Sequence, residues 1–311
     1  MALKHVVTGA AGFIGSHLVA RLLEAGHSVT GIDDERTGDW SRVASGCTRR
    51  TVDLAALTEH DFDDVLEGAD VCFHLAAEKH NSSRDSPERV VDVNISATRR
   101  LFDAAARTQV RKIVFTSSLY VYGSLGPEAM RESDVPVPTT VYGVSKLAGE
   151  HLLRVASGGS NLSWSVARLF FVYGPRQYAA GGYKSVIVSN LERLRRGERP
   201  VVLGDGKQAL DYVYVDDAVD ALVALADPAH DGLVCNIGTG RAVSVADLTD
   251  AMLDVAGRDV EPIWGPADWT AGSRRVADVD LAGEALGWSA TTTLHDGLSR
   301  VWDSMAEAAS G

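Results

Sequence analysis

Tyr142 and Lys146 lie four residues apart, so on a helix they share one face and can converge on one spot. A free tyrosine titrates at about 10, too high for a base at neutral pH. A neighbouring ammonium would favour the phenolate and make it a general base for a hydroxyl proton. Thr116, Ser117 and Ser118 end an apolar run 24 residues upstream of Tyr142, and a hydroxyl there could bridge a substrate to the tyrosine. Each signal has a plainer reading: an exposed Tyr–Lys pair, and a capped strand end.

A second constellation is Gly9, Gly12 and Gly15, spaced GxxGxxG between a β-rich run and a helical one. Glycines there permit a tight turn and let a pyrophosphate approach the backbone at a helix N-terminus, which points to a dinucleotide site. Asp33 follows 18 residues beyond Gly15, at the end of the next strand-like run. A carboxylate there accepts hydrogen bonds from ribose hydroxyls and repels a 2′-phosphate, favouring NAD over NADP; Arg36 pulls the other way, and Asp33 could equally cap a loop. Asp53, before Leu54, could reach an adenine amino group or serve as a turn aspartate.

These groups need elements to hold them. Residues 4–8, 27–33, 71–75, 112–117 and 164–172 are apolar runs of strand length, and residues 12–25, 87–107 and 141–156 carry helical spacing. Strands alternating with helices predict an α/β fold, a doubly wound parallel sheet. Beyond residue 173 the pattern is less regular, with helical stretches at 186–196, 215–225 and 245–255 among scattered glycine and proline. That predicts a first domain over residues 1–172, with segments of about 211–240 returning to it, and a smaller discontinuous domain, mainly 173–311, for substrate.

Composition sets the outer limits. The 311 residues are 45% hydrophobic and 23% charged, ordinary globular values. A net charge of −12 argues against nucleic acid or an anionic membrane as the main partner. No apolar run reaches the length that spans a bilayer, which is about 20 residues. The N-terminus runs directly into a strand pattern, so no signal peptide is expected. Cys47, Cys72 and Cys235 are widely spaced, which argues against disulfides or a metal site and fits a reducing cytoplasm.

Twelve segments between Val6 and Trp288 then share one pattern. They include Val7 to Gly15, Asp33 with Thr37-Gly38, Asp53-Leu54, Phe73 to Ala77, Val93-Asn94-Ile95, Ser117 to Gly123, Tyr142 to Lys146, Tyr173 to Gln177, Gly204-Asp205-Gly206, Tyr214 to Asp217, Asn236-Ile237-Gly238 and Leu286-Gly287-Trp288. The chain resembles the extended short-chain dehydrogenase/reductases and, within them, the nucleotide-sugar 4-epimerases acting on UDP-glucose or UDP-glucuronate. The resemblance implies a Rossmann-type sheet, tightly held NAD, and epimerisation at C4 through a transient 4-keto sugar. Tyr142 would be the base, Ser118 would hydrogen-bond the same sugar oxygen, and Lys146 would hold the nicotinamide ribose. Gly9, Gly12, Phe13, Ile14, Gly15, Asp33, Arg36, Thr37, Asp53, Leu54, Leu75, Ala76, Ala77, Thr116, Tyr142 and Lys146 would line the cofactor. A homodimer through residues 87–107 and 141–156 is also implied.

The departures from that pattern matter. Dehydratases and decarboxylases of the family place an acid just after the catalytic Ser or Thr, where this chain has Leu119 and Tyr120. Phe171 stands where the family usually has Asn, and Leu210 where it usually has Arg, both diphosphate contacts. Arg176, Lys184, Gln208, Arg274 or Arg275 could compensate. Substrate contacts are therefore expected from Lys79, Ser118, Tyr142, Phe171, Arg176, Lys184, Gln208 and Arg274. Lys79, Ser82, Ser83 and Arg176 offer donors to a uronate carboxylate, unless they are simply solvated. The rival functions are a keto-sugar reductase with exchangeable NAD(P)H and a non-catalytic dinucleotide sensor.

Overall fold

Runs of β-branched and apolar residues too short for helices become seven parallel strands. In the computed structural model, which describes residues 2–80, 82–123, 128–177, 184–268 and 270–307, their order is Leu233–Ile237, Ser163–Leu169, Lys112–Ser118, Val71–His74, Lys4–Thr8, Ser28–Asp33 and Thr48–Thr51. Every residue of Lys112–Ser118 is buried, as expected of a strand covered by helices on both faces. The strand order turns back between Lys4–Thr8 and Val71–His74, and the loops leaving these strands open a crevice at their carboxyl ends.

The helices that border the crevice start where local chemistry tells them to. Phe13–Glu24 begins after Gly12 with no capping side chain and no acid in its first turn. Thr140 caps Val141–Ser157 by accepting from the Gly143 N–H at 3.0 Å. The predicted helix over 87–107 is continuous but not uniform: Pro87–Val91 and Thr98–Arg107 flank a π-helical turn at Asp92–Ala97. Such a bulge commonly re-aims a side chain, and here it carries Asn94.

The remainder forms a smaller lobe. The helix Val186–Arg195 precedes strand Val201–Leu203, which pairs with Ile263–Gly265. Ala209–Leu210 lies between Val243–Ser244 and Arg274–Arg275, and Phe171–Tyr173 pairs with Tyr212–Tyr214. The chain then returns to the large sheet through helix Val215–Leu225, which packs against Phe13–Glu24, and strand Leu233–Ile237. One continuous apolar core joins Val7, Leu18 and Phe73 under the sheet to Leu210, Leu248 and Trp288 of the lobe. Asp211 ties the segments together: buried, it accepts from Thr239 N–H at 2.8 Å and hydroxyl at 2.6 Å, from Gly240 N–H at 3.0 Å and from Ala277 N–H at 3.1 Å. Among the described residues no helix is long and apolar enough to cross a membrane. The three cysteines are buried and free.

Candidate active site

Two adjoining cavities occupy the crevice. The larger, about 460 Å³, lies against the glycine turn; the other, about 340 Å³, lies against the small lobe. They share Phe171, Val172, Gln177 and Ser185 as a common wall.

The larger cavity collects every residue expected at the cofactor: Gly9, Gly12, Phe13, Ile14, Gly15, Asp33, Arg36, Thr37, Asp53, Leu54, Leu75, Ala76, Ala77, Thr116, Tyr142 and Lys146. Gly9 has φ +72°, and a Cβ there would meet the Ala76 nitrogen at 2.8 Å. A Cβ on Gly15 would sit 2.0 Å from the Gly9 oxygen, so the helix can lie this close to the turn only with glycine. The uncapped N-terminus of Phe13–Glu24 faces this space with its partial positive charge uncompensated, a fit for a diphosphate. Asp33 is buried and anchored by the N–H groups of Ala11 at 3.0 Å and Glu35 at 2.8 Å; burial raises its carboxyl above the usual range.

Asp53 is a turn aspartate, one of its two expected roles, and it also binds an arginine. It accepts from the Ala55 N–H at 2.9 Å and holds Arg89 through two bonds of 2.9 Å. Arg89 also reaches Glu78 and Asp34, both at 3.3 Å, and thereby fixes three carboxylates along the cavity rim. Arg36 lies 3.8 Å from Glu78. Asn94 bonds Glu78 at both ends of its amide, accepting from the N–H at 2.8 Å and donating to the oxygen at 3.0 Å, and so holds the loop after Val71–His74. His74 is structural. The Thr98 hydroxyl donates to Val93, so it accepts from His74 Nε2–H at 2.9 Å, and His74 Nδ1 accepts from Thr8 at 2.7 Å. Burial pushes its pKa down to about 3.

Tyr142 and Lys146 line the larger cavity, and Ser118, which lines neither, lies against Tyr142. Tyr120 N–H donates to Ser118 Oγ at 3.3 Å, and the Ser118 hydroxyl is hydrogen-bonded to that of Tyr142. Lys146 Nζ donates to the Thr116 oxygen at 2.9 Å and lies 5.8 Å from the Tyr142 ring. The lowered tyrosine pKa anticipated from Lys146 is not found. Burial pushes Tyr142 up to about 12, against the pull of Ser118. Burial likewise lowers Lys146 to about 7, although Glu150 opposes it. Glu150 is itself held by Arg168 at 3.0 and 2.7 Å and by the Ser117 hydroxyl at 2.5 Å, so little of its charge is left for the amine.

The substrate expectations divide. Lys79 lines the larger cavity, Lys184 and Gln208 line the smaller, and Phe171 lines both. Arg176 lines neither; at φ +66° it donates to the Ser16 oxygen at 3.3 Å, behind the glycine-turn helix. Arg274 lines neither and is exposed on its short strand. Ser83 spends its hydroxyl on the His80 oxygen at 2.6 Å, so it is not a donor to a carboxylate. The Ser82 side chain lies outside the described residues. Leu210 lines the smaller cavity, and its register partner Arg275 places a guanidinium 5.2 Å above the Tyr120 ring. His80 stacks on the same ring at 4.3 Å. Sequence reasoning missed Arg89, Gln177 and Ser185. Only Gln177 had a signal, as the residue closing the Tyr173-Gly174-Pro175-Arg176 segment.

Comparison with known proteins agrees with this geometry. A UDP-glucose 4-epimerase of Mycolicibacterium smegmatis is 37% identical over 305 residues, covering 96% of this chain and 97% of that one. The crystal structure of a UDP-glucose 4-epimerase with UDP-glucose from Thermotoga maritima superposes with a TM-score of 0.93 at 30% identity, over 99% of this chain and 100% of that one. A UDP-glucuronic acid 4-epimerase from Bacillus cereus, in complex with UDP-glucuronic acid and NAD, gives 0.88 at 29% identity over 98% and 100%. Residues 5–238 match the NAD dependent epimerase/dehydratase family. With the glycine turn, the buried acid and the Ser–Tyr–Lys cluster in place around one crevice, the chain belongs to that family.

Proposed function

We propose that the protein is an NAD-dependent 4-epimerase of a nucleoside-diphosphate sugar, acting on a UDP-hexose or UDP-hexuronic acid. The carrying observation is the Ser118–Tyr142–Lys146 cluster, whose tyrosine and lysine line the larger cavity. NAD fits the larger cavity: the uncapped helix end suits its diphosphate, Asp33 its adenosine ribose, and Lys146 its nicotinamide ribose. When bound, it supplies the group that accepts and returns a hydride at C4.

Tyr142 takes the proton of the 4-hydroxyl and later restores it. Ser118 donates to the same oxygen and steadies it as its charge changes. A phenol held at about 12 is almost wholly protonated at neutral pH, so a positive charge bound beside it, which favours the phenolate, is what brings proton transfer within reach. The smaller cavity receives the nucleotide end, with Lys184 on its wall and Arg275 over the ring of Tyr120, which also lines it. The chain's division follows: residues 1–172 with 211–240 hold the dinucleotide, and the rest of 173–311 mainly the substrate. The three buried free thiols fit a cytoplasmic setting.

The test is incubation with UDP-glucose, UDP-N-acetylglucosamine and UDP-glucuronate. The expected result is a C4 epimer of at least one, with no net change at the nicotinamide absorbance band. Stoichiometric cofactor consumption indicates a reductase, and NAD binding with no product from any sugar indicates a sensor. Tyr142→Phe is expected to lower turnover by at least ~10²-fold.

A further inference from the structure

The acids on the rim of the larger cavity come from separate loops that repel one another. Asp34 follows strand Ser28–Asp33, Asp53 follows Thr48–Thr51, Glu78 follows Val71–His74, and all three line the cavity. These strands lie on both sides of Lys4–Thr8, so their loops surround the glycine turn. Like charges so placed push the loops apart and oppose a diphosphate. One guanidinium answers them. Arg89, on the helix Pro87–Val91, has a side chain only 20% exposed and lines neither cavity. Two of its bonds run in parallel to Asp53, both 2.9 Å, while Nη2 also reaches Asp34 and Nε reaches Glu78, both at 3.3 Å. A forked pair of this kind fixes orientation as well as charge, which an ammonium cannot do. Burial opposes it, yet the bonds from Arg89 and the Ala55 N–H hold the Asp53 carboxyl below its usual range. The same helical run grips Glu78 again through the two backbone bonds of Asn94, carried by the π-helical turn. Arg36, 55% exposed and 3.8 Å from Glu78, contributes little by comparison.

We propose that Arg89 is a positioning residue for the adenosine end of the dinucleotide, clasping the three loops around it and so setting how long NAD stays bound. The assignment rests on the dinucleotide reading of the larger cavity and extends it to cofactor residence. Asp33, given to the adenosine ribose above, directly precedes Asp34, which puts the clasp at that end of the cavity. Asp53 accepts three bonds from described residues, and a carboxylate offers about four sites, so it retains one for an amino or hydroxyl donor. Arg89 touches no ligand in this scheme. It acts by holding acceptors that would otherwise swing outward into water. An enzyme that must return a hydride to the sugar it came from needs the dinucleotide to stay in place between the two transfers, and the clasp serves that need.

The experiment follows NAD remaining on the NAD-loaded protein after dilution for set times, for the native chain, Arg89→Met and Arg89→Lys. Arg89→Met is expected to release NAD at least about tenfold faster than the native protein. Arg89→Lys keeps the charge without the fork and should fall between the two. Melting curves supply a second readout. The melting temperature of Arg89→Met should be lowered and should return toward the native value as NAD is added, because the defect lies in holding the ligand. A merely structural role would lower it without that recovery. Circular dichroism establishes that the variants are folded; if Arg89→Met does not fold, Arg89→Lys carries the same test. Release at the native rate from a folded variant, or a lowered melting temperature that saturating NAD does not raise, overturns the assignment while leaving the epimerase reading intact. A native protein that neither carries nor binds NAD overturns both.

Discussion

Lys146 shows how far a residue's chemistry depends on what surrounds it. Its amine is buried, lowered to about 7, and bonded to the Thr116 oxygen at 2.9 Å. Its charge is thus poorly supported by the groups the protein places around it. Lys146→Met keeps the length of the side chain and removes both the charge and the donor. Turnover should fall by about 10²-fold or more, because the base loses the group that positions the nicotinamide ribose beside it. Stability should change little. The lost bond to Thr116 costs about 1–3 kcal/mol, and relief from burying an amine offsets part of that. Steady-state kinetics beside a melting curve checks this; unchanged turnover would remove Lys146 from the machinery.

At the scale of elements, the contact between the helix Phe13–Glu24 and its leading turn sets whether a dinucleotide can be held. Gly15→Ala would drive a methyl group to 2.0 Å from the Gly9 oxygen, a backbone atom that cannot rotate away. The helix must shift, and NAD binding is expected to fall at least tenfold, with a lower melting temperature, by fluorescence titration and calorimetry. This element was legible in the sequence because glycine spacing, a flanking strand and a flanking helix all encode one local geometry. The Ser–Tyr–Lys cluster was legible for the same reason, since i,i+4 spacing fixes a shared face. Arg89 was not: its partners Asp34, Asp53 and Glu78 come from three separate loops, and only the assembled sheet brings them together. The π-helical turn at Asp92–Ala97 was hidden too, because apolar spacing across 87–107 looks the same with one extra residue in the turn. Arg176 was misplaced for a related reason: its left-handed backbone sends the side chain behind the helix rather than into the crevice.

At the scale of the whole molecule, two properties emerge from surfaces and burial that no single element decides. The first is association. Val91, Val144 and Val155 are 42%, 48% and 75% exposed on the helices expected to pair, and we propose that a second copy covers them. Sedimentation should show a dimer at micromolar concentration, and Val91→Glu with Val155→Glu should shift it toward monomer without loss of secondary structure; a monomeric native protein would end the proposal. The second is acid sensitivity. His5 is 4% exposed, neither ring nitrogen has a partner among the described residues, and its pKa is lowered from 6.5 to about 4 by burial and by His27. The folded state therefore binds fewer protons than the unfolded chain between those values, so stability is level above pH 6.5 and declines as pH falls toward 4. From His5 alone the loss at pH 5 is about 2 kcal/mol, and His74, lowered to about 3, adds in the same direction. His5→Leu keeps the packing against Phe73 and removes the titrating ring. Its melting temperature should decline less between pH 7 and pH 5 than that of the native protein, and an identical slope would mean that the ring is solvated in the folded state.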